Sequence, residues 1–120
     1  METKEVVQAE IFHRDYNLDK RHNLDVVPAE RAVYGIFAII HDKPVHCRFV
    51  GETDNLHDSI QKHFETEPNE SLRKFMQGPW IQMLVYHPLP ESSHEQRLKL
   101  MEEWTKIHNP NCDERGEYPN

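Results

Sequence analysis

Apolar residues in the first half of the chain form two runs that predict a β-hairpin. The first run, AVYGIFAII at residues 32–40, is rich in β-branched and aromatic residues, which is typical of a strand buried on both faces. The polar sequence HDKP follows it, and VHCRFVG at residues 45–51 is interpreted as the returning strand. Pro28 disfavours helix in the residue before it and marks where the chain enters this hairpin.

Helical spacing of apolar residues follows the hairpin. A first helix begins near residue 56, with Asp54 or Asn55 as its N-cap. Its core-facing residues are predicted to be Leu56, Ile60, His63 and Phe64. Further helices are predicted at ESLRKFMQ and at HEQRLKLMEEWTKIH, with the alternating strand WIQMLVYH between them. This order indicates a small α/β fold, a three-stranded antiparallel sheet flanked by helices.

The chain is predicted to divide into a leader, one domain and a tail. Residues 1–29 form an N-terminal extension packing on the domain, and its apolar patch VVQAEIF fits either a short strand or a helix. Residues 30–112 form the domain itself, and residues 113–120 are expected to be frayed. A chain of 120 residues is long enough for one domain and too short for two.

The net charge and the apolar runs limit the kinds of partner that are expected, and the expected compartment sets the state of the cysteines. The formal net charge of −7 argues against a surface built to hold a nucleic-acid backbone, because phosphate binding needs clustered Lys and Arg. No apolar run is long enough to span a bilayer and the first residues do not resemble a signal peptide, so a cytoplasmic protein without a membrane partner is expected. Cys47 and Cys112 are then expected to be reduced.

Four segments together carry a family resemblance: VYGIF, FVG, the longer stretch FVGETDNLHDSIQKHF, and the helix end IHNPNC. They resemble the first motif, the second motif, the first helix and the closing helix of the GIY-YIG nuclease domain, over residues 30–112. The resemblance implies a site made of two motif tyrosines, an arginine on the first helix that contacts phosphate, and a glutamate on the last helix that binds a divalent metal.

Only part of that site is matched by this sequence. Tyr34 matches the first motif tyrosine and Gly51 matches the motif glycine, whereas Phe49 stands where the second tyrosine is expected. Ser59, four residues before the helix histidine His63, stands where the arginine is expected.

The position of the metal-binding glutamate is also changed. Met101, nine residues before Pro110, stands where the glutamate is expected, and a thioether cannot replace a carboxylate for a hard cation such as Mg²⁺. A serine cannot supply a fixed positive charge to a phosphoryl group, and a phenylalanine cannot relay a proton. The vestigial site is therefore Tyr34, Phe49, Gly51, Ser59, His63 and Met101.

The loss of these groups predicts a catalytically inactive domain that acts by binding a protein partner or itself, with no cofactor. Tyr34 and Phe49 can line a groove or simply pack together. Arg48 and Lys62 can add positive charge to a binding surface, although a solvated rim is their more ordinary interpretation.

Two other functions remain open from the sequence. The first is a Mg²⁺-dependent or other divalent-metal-dependent endonuclease with a rearranged site, using Tyr34 and His63 with Glu102 or Glu95 around the metal. The second is a histidine-based metal or small-ligand-binding protein.

The histidine-based alternative rests on composition. The chain has 9 His residues, and His41 and His46 flank one turn with Cys47 beside them. No H-x-H or H-x-x-x-H spacing occurs, so scattered surface histidines are the more ordinary interpretation.

The last helix shows two apolar stripes. Leu98, Met101, Thr105 and His108 recur at helical spacing, and this face is predicted to pack on the sheet with Met101 as core filler. The second stripe consists of Leu100, Trp104 and Ile107.

Overall fold

A computed structural model of the chain describes residues 6–12, 24–40, 43–77 and 82–110. Its elements are β1 (Val7–Phe12), a 3-10 turn (Leu24–Val26), β2 (Ala32–Ile40), β3 (Lys43–Thr53), α1 (Leu56–Glu65), α2 (Glu70–Gln77), β4 (Gln82–Pro88) and α3 (His94–His108). Within these ranges no helix is both long enough and apolar enough to cross a bilayer.

The sheet has four antiparallel strands in the order β1-β4-β2-β3, which gives an α+β fold. The prediction of three strands was wrong by one, because β1 comes from the apolar patch of the N-terminal extension. Ala9 of β1 pairs with Leu84, and Ile11 is fully buried. Burying these side chains against β4 explains why the patch is a strand and not a helix.

The two faces of the sheet are covered by different helices. Alternation along β2 sends Tyr34 and Ile36 to the face covered by α1 and α2, and sends Val33 and Phe37 to the face covered by α3. The two faces are called the α1–α2 face and the α3 face. The largest buried side chains on the α1–α2 face are Ile11, Ile36, Leu56, Ile60, Leu84, Phe75 and Met76.

Helix α3 packs with part of the predicted stripe and with Trp104 of the second one. Met101 packs against the sheet as predicted, and the His108 ring centroid lies 5.2 Å from that of Phe37. Trp104 is buried, and Leu100 and Met101 pack partly buried beside it against the sheet. Thr105, predicted to face the sheet, is exposed, and Ile107 is 72% exposed. The contact stripe is rotated toward Trp104, which has the larger apolar surface to bury.

Of the two predicted N-cap residues of α1, the structure uses Asn55, whose side chain accepts a hydrogen bond from the backbone N–H of Asp58. Helix α3 begins with a capping box between Ser93 and Gln96. Cys112 and the tail at 113–120 lie outside the described residues.

Candidate functional site

The corner where β3 leads into α1 brings together five of the six predicted site residues. Tyr34 comes from β2, Phe49 and Gly51 from β3, and Ser59 and His63 from α1. All five lie on the α1–α2 face of the sheet. Met101 does not join them, because α3 places it on the opposite face, with the cluster that contains Val33 and Trp104.

A buried hydrogen-bond chain runs through the centre of this corner. Tyr34 Oη lies 2.8 Å from His63 Nε2, and His63 Nδ1 lies 2.5 Å from Glu67 Oε1. Glu67 Oε2 accepts a hydrogen bond from the backbone N–H of Asn69 at 2.9 Å. Because the carboxylate takes the hydrogen on Nδ1, Nε2 is left to accept the hydroxyl hydrogen of Tyr34.

A second pair of hydroxyl groups joins β3 to α1 at this corner. Ser59 Oγ lies 2.6 Å from Thr53 Oγ1. Thr53 Oγ1 is also 3.0 Å from the backbone nitrogen and 3.1 Å from the carbonyl oxygen of Asn55. Ser59, the position predicted to replace an arginine, is therefore bound to the end of β3 through the Thr53 hydroxyl.

Phe49 closes the site with its ring. The ring centroid lies 4.7 Å from that of His63 and 5.7 Å from that of Tyr34, in tilted and edge-on arrangements. Gly51 makes room for it, since a Cβ there would lie 2.6 Å from Phe49 Cε2 and 3.2 Å from Tyr34 Cζ. Phe49 thus covers the buried hydrogen bonds between Tyr34, His63 and Glu67 with an apolar ring.

Burial sets the protonation states of the two ring groups. Desolvation, with a smaller contribution from the charge of Glu67, raises the pKa of Tyr34 and keeps it a neutral phenol. Desolvation lowers the pKa of His63, and the hydrogen bond and charge of Glu67 oppose that change only in part. At neutral pH the site holds a neutral phenol and a neutral imidazole that satisfy each other.

The stability of the protein is expected to fall as the pH drops below about 6.5, because folded His63 binds a proton less readily than the unfolded imidazole does. The contribution of neutral His63 to the free energy of unfolding is present in full above the unfolded pKa of 6.5. It is lost as the pH falls toward the lower pKa of the folded state. Urea unfolding from neutral pH down to about 5, above the range of ordinary carboxyl groups, measures it. The variant His63→Gln should show a shallower pH dependence.

The control is a variant of His87, a second described histidine whose pKa is lowered. Burial also lowers the pKa of His87, which is half-buried on β4. The variant His87→Gln should retain the part of the acid sensitivity that belongs to His63. Equal slopes in the wild type and the His63→Gln variant would contradict the assignment.

Arg48 and Lys62, the two predicted cationic binding residues, differ in their surroundings. Arg48 is only 3% exposed, so the interpretation as a solvated rim was wrong for it. It is the extra residue of a β-bulge between the pairs Ile36–Phe49 and Phe37–Cys47, and its guanidinium carbon lies 5.1 Å from the ring centroid of Phe75. Lys62 is exposed on α1.

Of the residues in the metal-based alternatives, Tyr34 and His63 lie at this corner, whereas Glu95, Glu102 and Cys47 do not. Glu95 and Glu102 are exposed on α3 and belong to the opposite side of the sheet from Tyr34. The Cys47 thiol donates to the carbonyl oxygen of Phe49 at 3.4 Å, and burial raises its pKa to about 12. Among the residues that the structure describes, no three His, Cys, Asp or Glu side chains are placed to hold a metal ion. His41 and the side chain of His46 lie outside the described part.

Arg97, which is not among the predicted site residues, binds the end of β3 from the α3 face. It is 2% exposed, and its Nε donates to Glu52 Oε2 at 2.8 Å. Its Nη2 donates to Asp54 Oδ1 at 2.5 Å and its Nη1 to the carbonyl oxygen of Ser92 at 2.9 Å. Glu52 and Asp54 flank Thr53, so the guanidinium of Arg97 binds both residues next to Thr53.

Comparison with protein-family models finds no family that matches this chain. Comparison with curated proteins likewise finds no matching relative.

Proposed function

We propose that the chain is a catalytically inactive GIY-YIG-like domain that functions by binding a protein partner or a second copy of itself. The observation that carries this proposal is the closed hydrogen-bond chain at the β3–α1 corner. The Tyr34 hydroxyl is hydrogen-bonded to His63, and both rings are neutral at physiological pH. A hydroxyl held in this way is a poor activator of water.

The phosphate side of the site supports the same conclusion. Ser59 is hydrogen-bonded to the Thr53 hydroxyl and brings no charge to the place where a phosphoryl group would need it. The first turn of α1 is also closed to an anion. The backbone N–H groups of Leu56 and His57 donate to the carbonyl oxygens of Glu30 and Pro28 at 2.8 and 3.1 Å.

The metal side of the site gives further support. Met101 lies across the sheet from Tyr34, and the neighbouring Glu102 is exposed on α3. Neither Met101 nor Glu102 therefore brings a carboxylate of α3 to the tyrosine, where the family uses one for a divalent metal. The histidine-based alternative draws no support from the described residues either.

The surface charge favours a protein as the partner. The formal net charge is −7, and Lys62, at the corner itself, stands beside acidic Asp58 on the same helix. A nucleic-acid backbone needs clustered positive charge, whereas a protein surface does not. Sedimentation velocity over a range of concentrations separates a second copy from a different partner, since only self-association depends on this chain alone.

A cleavage assay tests the loss of reaction directly. The wild-type chain is expected to leave single-stranded, duplex and branched DNA and RNA uncut in the presence of Mg²⁺ or Mn²⁺. The double variant Ser59→Arg with Met101→Glu is also expected to be inactive, because the two positions lie on opposite faces of the sheet.

The Tyr34→Phe variant is the control that identifies a contaminating nuclease. Cleavage by the wild type that disappears in this variant would show that the corner retains its chemistry and would overturn the proposal. Cleavage that is equal in both proteins belongs to a contaminant, and repurification until both are silent completes the assay.

A further inference from the structure

Strand β1 forms one edge of the sheet. Among the strands that the structure describes, β1 has β4 on one side and no strand on the other. Within the described residues, the backbone hydrogen bonds made outside the helices and the sheet ladder do not involve β1 either. An edge strand turns alternate backbone N–H and C=O groups away from its sheet, so β1 presents a row of hydrogen-bonding groups with which another strand can pair.

The other edge strand, β3, carries features that hinder such pairing. It begins with Lys43 and Pro44, a proline has no N–H to donate, and the pairing of β3 with β2 shifts register twice. Strand β1 contains no proline and no lysine, and its pairing with β4 shifts register once, between Glu10 and Phe12. Native sheets protect their edges with Pro, Lys and bulges, so β1 is the less protected edge of this sheet.

Exposed apolar side chains lie close to the β1 edge. Four large apolar side chains are exposed in the described part of the chain, and three of them are Val6, Val7 and Val26. Val6 and Val7 lie where β1 begins, and Val26 belongs to the 3-10 turn, which contacts β1. Val7 pairs with Tyr86, so its side chain lies on the α1–α2 face. A strand added to β1 would cover part of this apolar surface.

We propose that a second copy of this chain pairs with β1 through its own β1, in antiparallel orientation, so that two four-stranded sheets become one continuous sheet. This inference rests on the proposed function and specifies its second-copy form. Antiparallel pairing of two identical strands has a two-fold axis normal to the sheet. Opposite residues of an antiparallel pair project their side chains to the same face, so the α1–α2 faces of both copies join on one side. The residue at the axis lies opposite its own copy.

The register that fits β1 best is centred on Gln8. It pairs residues 6–10 with their copies and stops before the shift in register. Gln8 lies opposite Gln8 of the second copy, and a side-chain amide both donates and accepts. Val7 lies opposite Ala9, on the α1–α2 face, and Val6 lies opposite Glu10. In this register no two like charges are opposite each other.

The neighbouring registers are less favourable. A register centred on Glu10 places two glutamates opposite each other. A register centred on Ala9 needs Ile11, which lies in the register shift and is already fully buried, so its pairing would cover no new apolar surface. The sequence of β1 is therefore complementary to itself around Gln8, which favours a second copy over an unrelated strand.

The association is expected to be weak. Five paired residues on each strand bury much less than the roughly 1,600 Å² of a standard interface, so the dimer should depend on concentration. Sedimentation velocity of the full chain from roughly 10 μM to 1 mM should show a sedimentation coefficient that rises with concentration. A single monomeric species at the highest concentration would overturn the inference. It would leave the proposed function in place, with a different protein as the partner.

Charge substitutions at Gln8 test the register. In Gln8→Glu and in Gln8→Lys two like charges lie opposite each other at the axis, so each variant should raise the dissociation constant of the dimer roughly fivefold. An equimolar mixture of the two variants pairs a carboxylate with an ammonium group and should restore association to at least the wild-type level. The side chain of Gln8 is exposed, so both variants should keep the wild-type stability in urea.

The matched controls are Gln77→Glu and Gln77→Lys, at the exposed end of α2. Because the chain carries a net charge of −7, an effect of net charge alone would weaken association in Gln77→Glu and strengthen it in Gln77→Lys. Only the two-fold register predicts that both signs of charge at Gln8 weaken it. Opposite effects of the two Gln8 variants, or no effect of either, would overturn the inference. The cleavage assay does not depend on these results and tests the proposed function separately.

Discussion

Replacing Arg97 by leucine is expected to lower the free energy of unfolding by about 3 kcal/mol, the cost of removing one partner from a buried ion pair. The substitution keeps an apolar stem in the core and removes the guanidinium that binds Glu52, Asp54 and Ser92. Glu52 is 14% exposed and cannot recover full hydration in the folded chain. Asp54 is 81% exposed and contributes much less to the loss.

Urea unfolding followed by circular dichroism measures this effect, with the slope m expected to stay unchanged. The variant Lys99→Leu removes an exposed charge from the same helix and should change stability by about 0.5 kcal/mol or less. The variant Arg97→Lys keeps the charge but loses the planar fork, so its stability should lie between those of the wild type and Arg97→Leu. A loss as small as that of Lys99→Leu would show that the corner does not depend on Arg97.

The elements of this fold were largely predictable because their signals are local. Each of three elements is indicated by a feature within a few residues. These features are the run of nine apolar residues at β2, the Asn55 cap of α1 and the Ser93 cap of α3. Strand β1 was ambiguous because its signal is not local. The six residues VQAEIF fit a strand or a helix, and only their pairing with β4, which is distant in sequence, decides between them.

The same distinction applies to the site. The proximity of Tyr34, Ser59 and His63 followed from motifs within the hairpin and α1, and the structure brings them together. Glu67 was missed because it follows the end of α1 at Glu65, and helical spacing does not predict which side chains meet beyond a helix end.

Arg48, Arg97 and Met101 could not be placed from the sequence alone. The burial of Arg48 depends on a β-bulge in β3, which no local pattern in this sequence announces. Arg97 looks like an ordinary helix charge until Glu52 and Asp54, more than forty residues earlier, come to lie beside it. The side of the sheet that Met101 faces depends on how α3 crosses it, a property of the whole fold.

Replacing Glu67 by alanine is expected to lower the free energy of unfolding by about 3 kcal/mol, because a buried donor and a partly buried donor lose their acceptor together. The carboxylate is 8% exposed and binds His63 Nδ1 and the backbone N–H of Asn69. Asn69 in turn accepts from the backbone N–H of Leu72 at the start of α2, so the loss also loosens the connection between α1 and α2.

The isosteric variant Glu67→Gln separates the two contributions of this carboxylate. Its amide can accept from only one of the two donors with its single oxygen, so about half of the loss is expected. The matched control is Glu65→Ala, an exposed glutamate near the end of the same helix, which should change stability by about 0.5 kcal/mol or less. Urea unfolding of the three variants at neutral pH measures the series.

If Glu67→Ala is no less stable than Glu65→Ala, the buried chain from Tyr34 to Glu67 does not hold α1 and α2 on the sheet, and the apolar core alone accounts for their position.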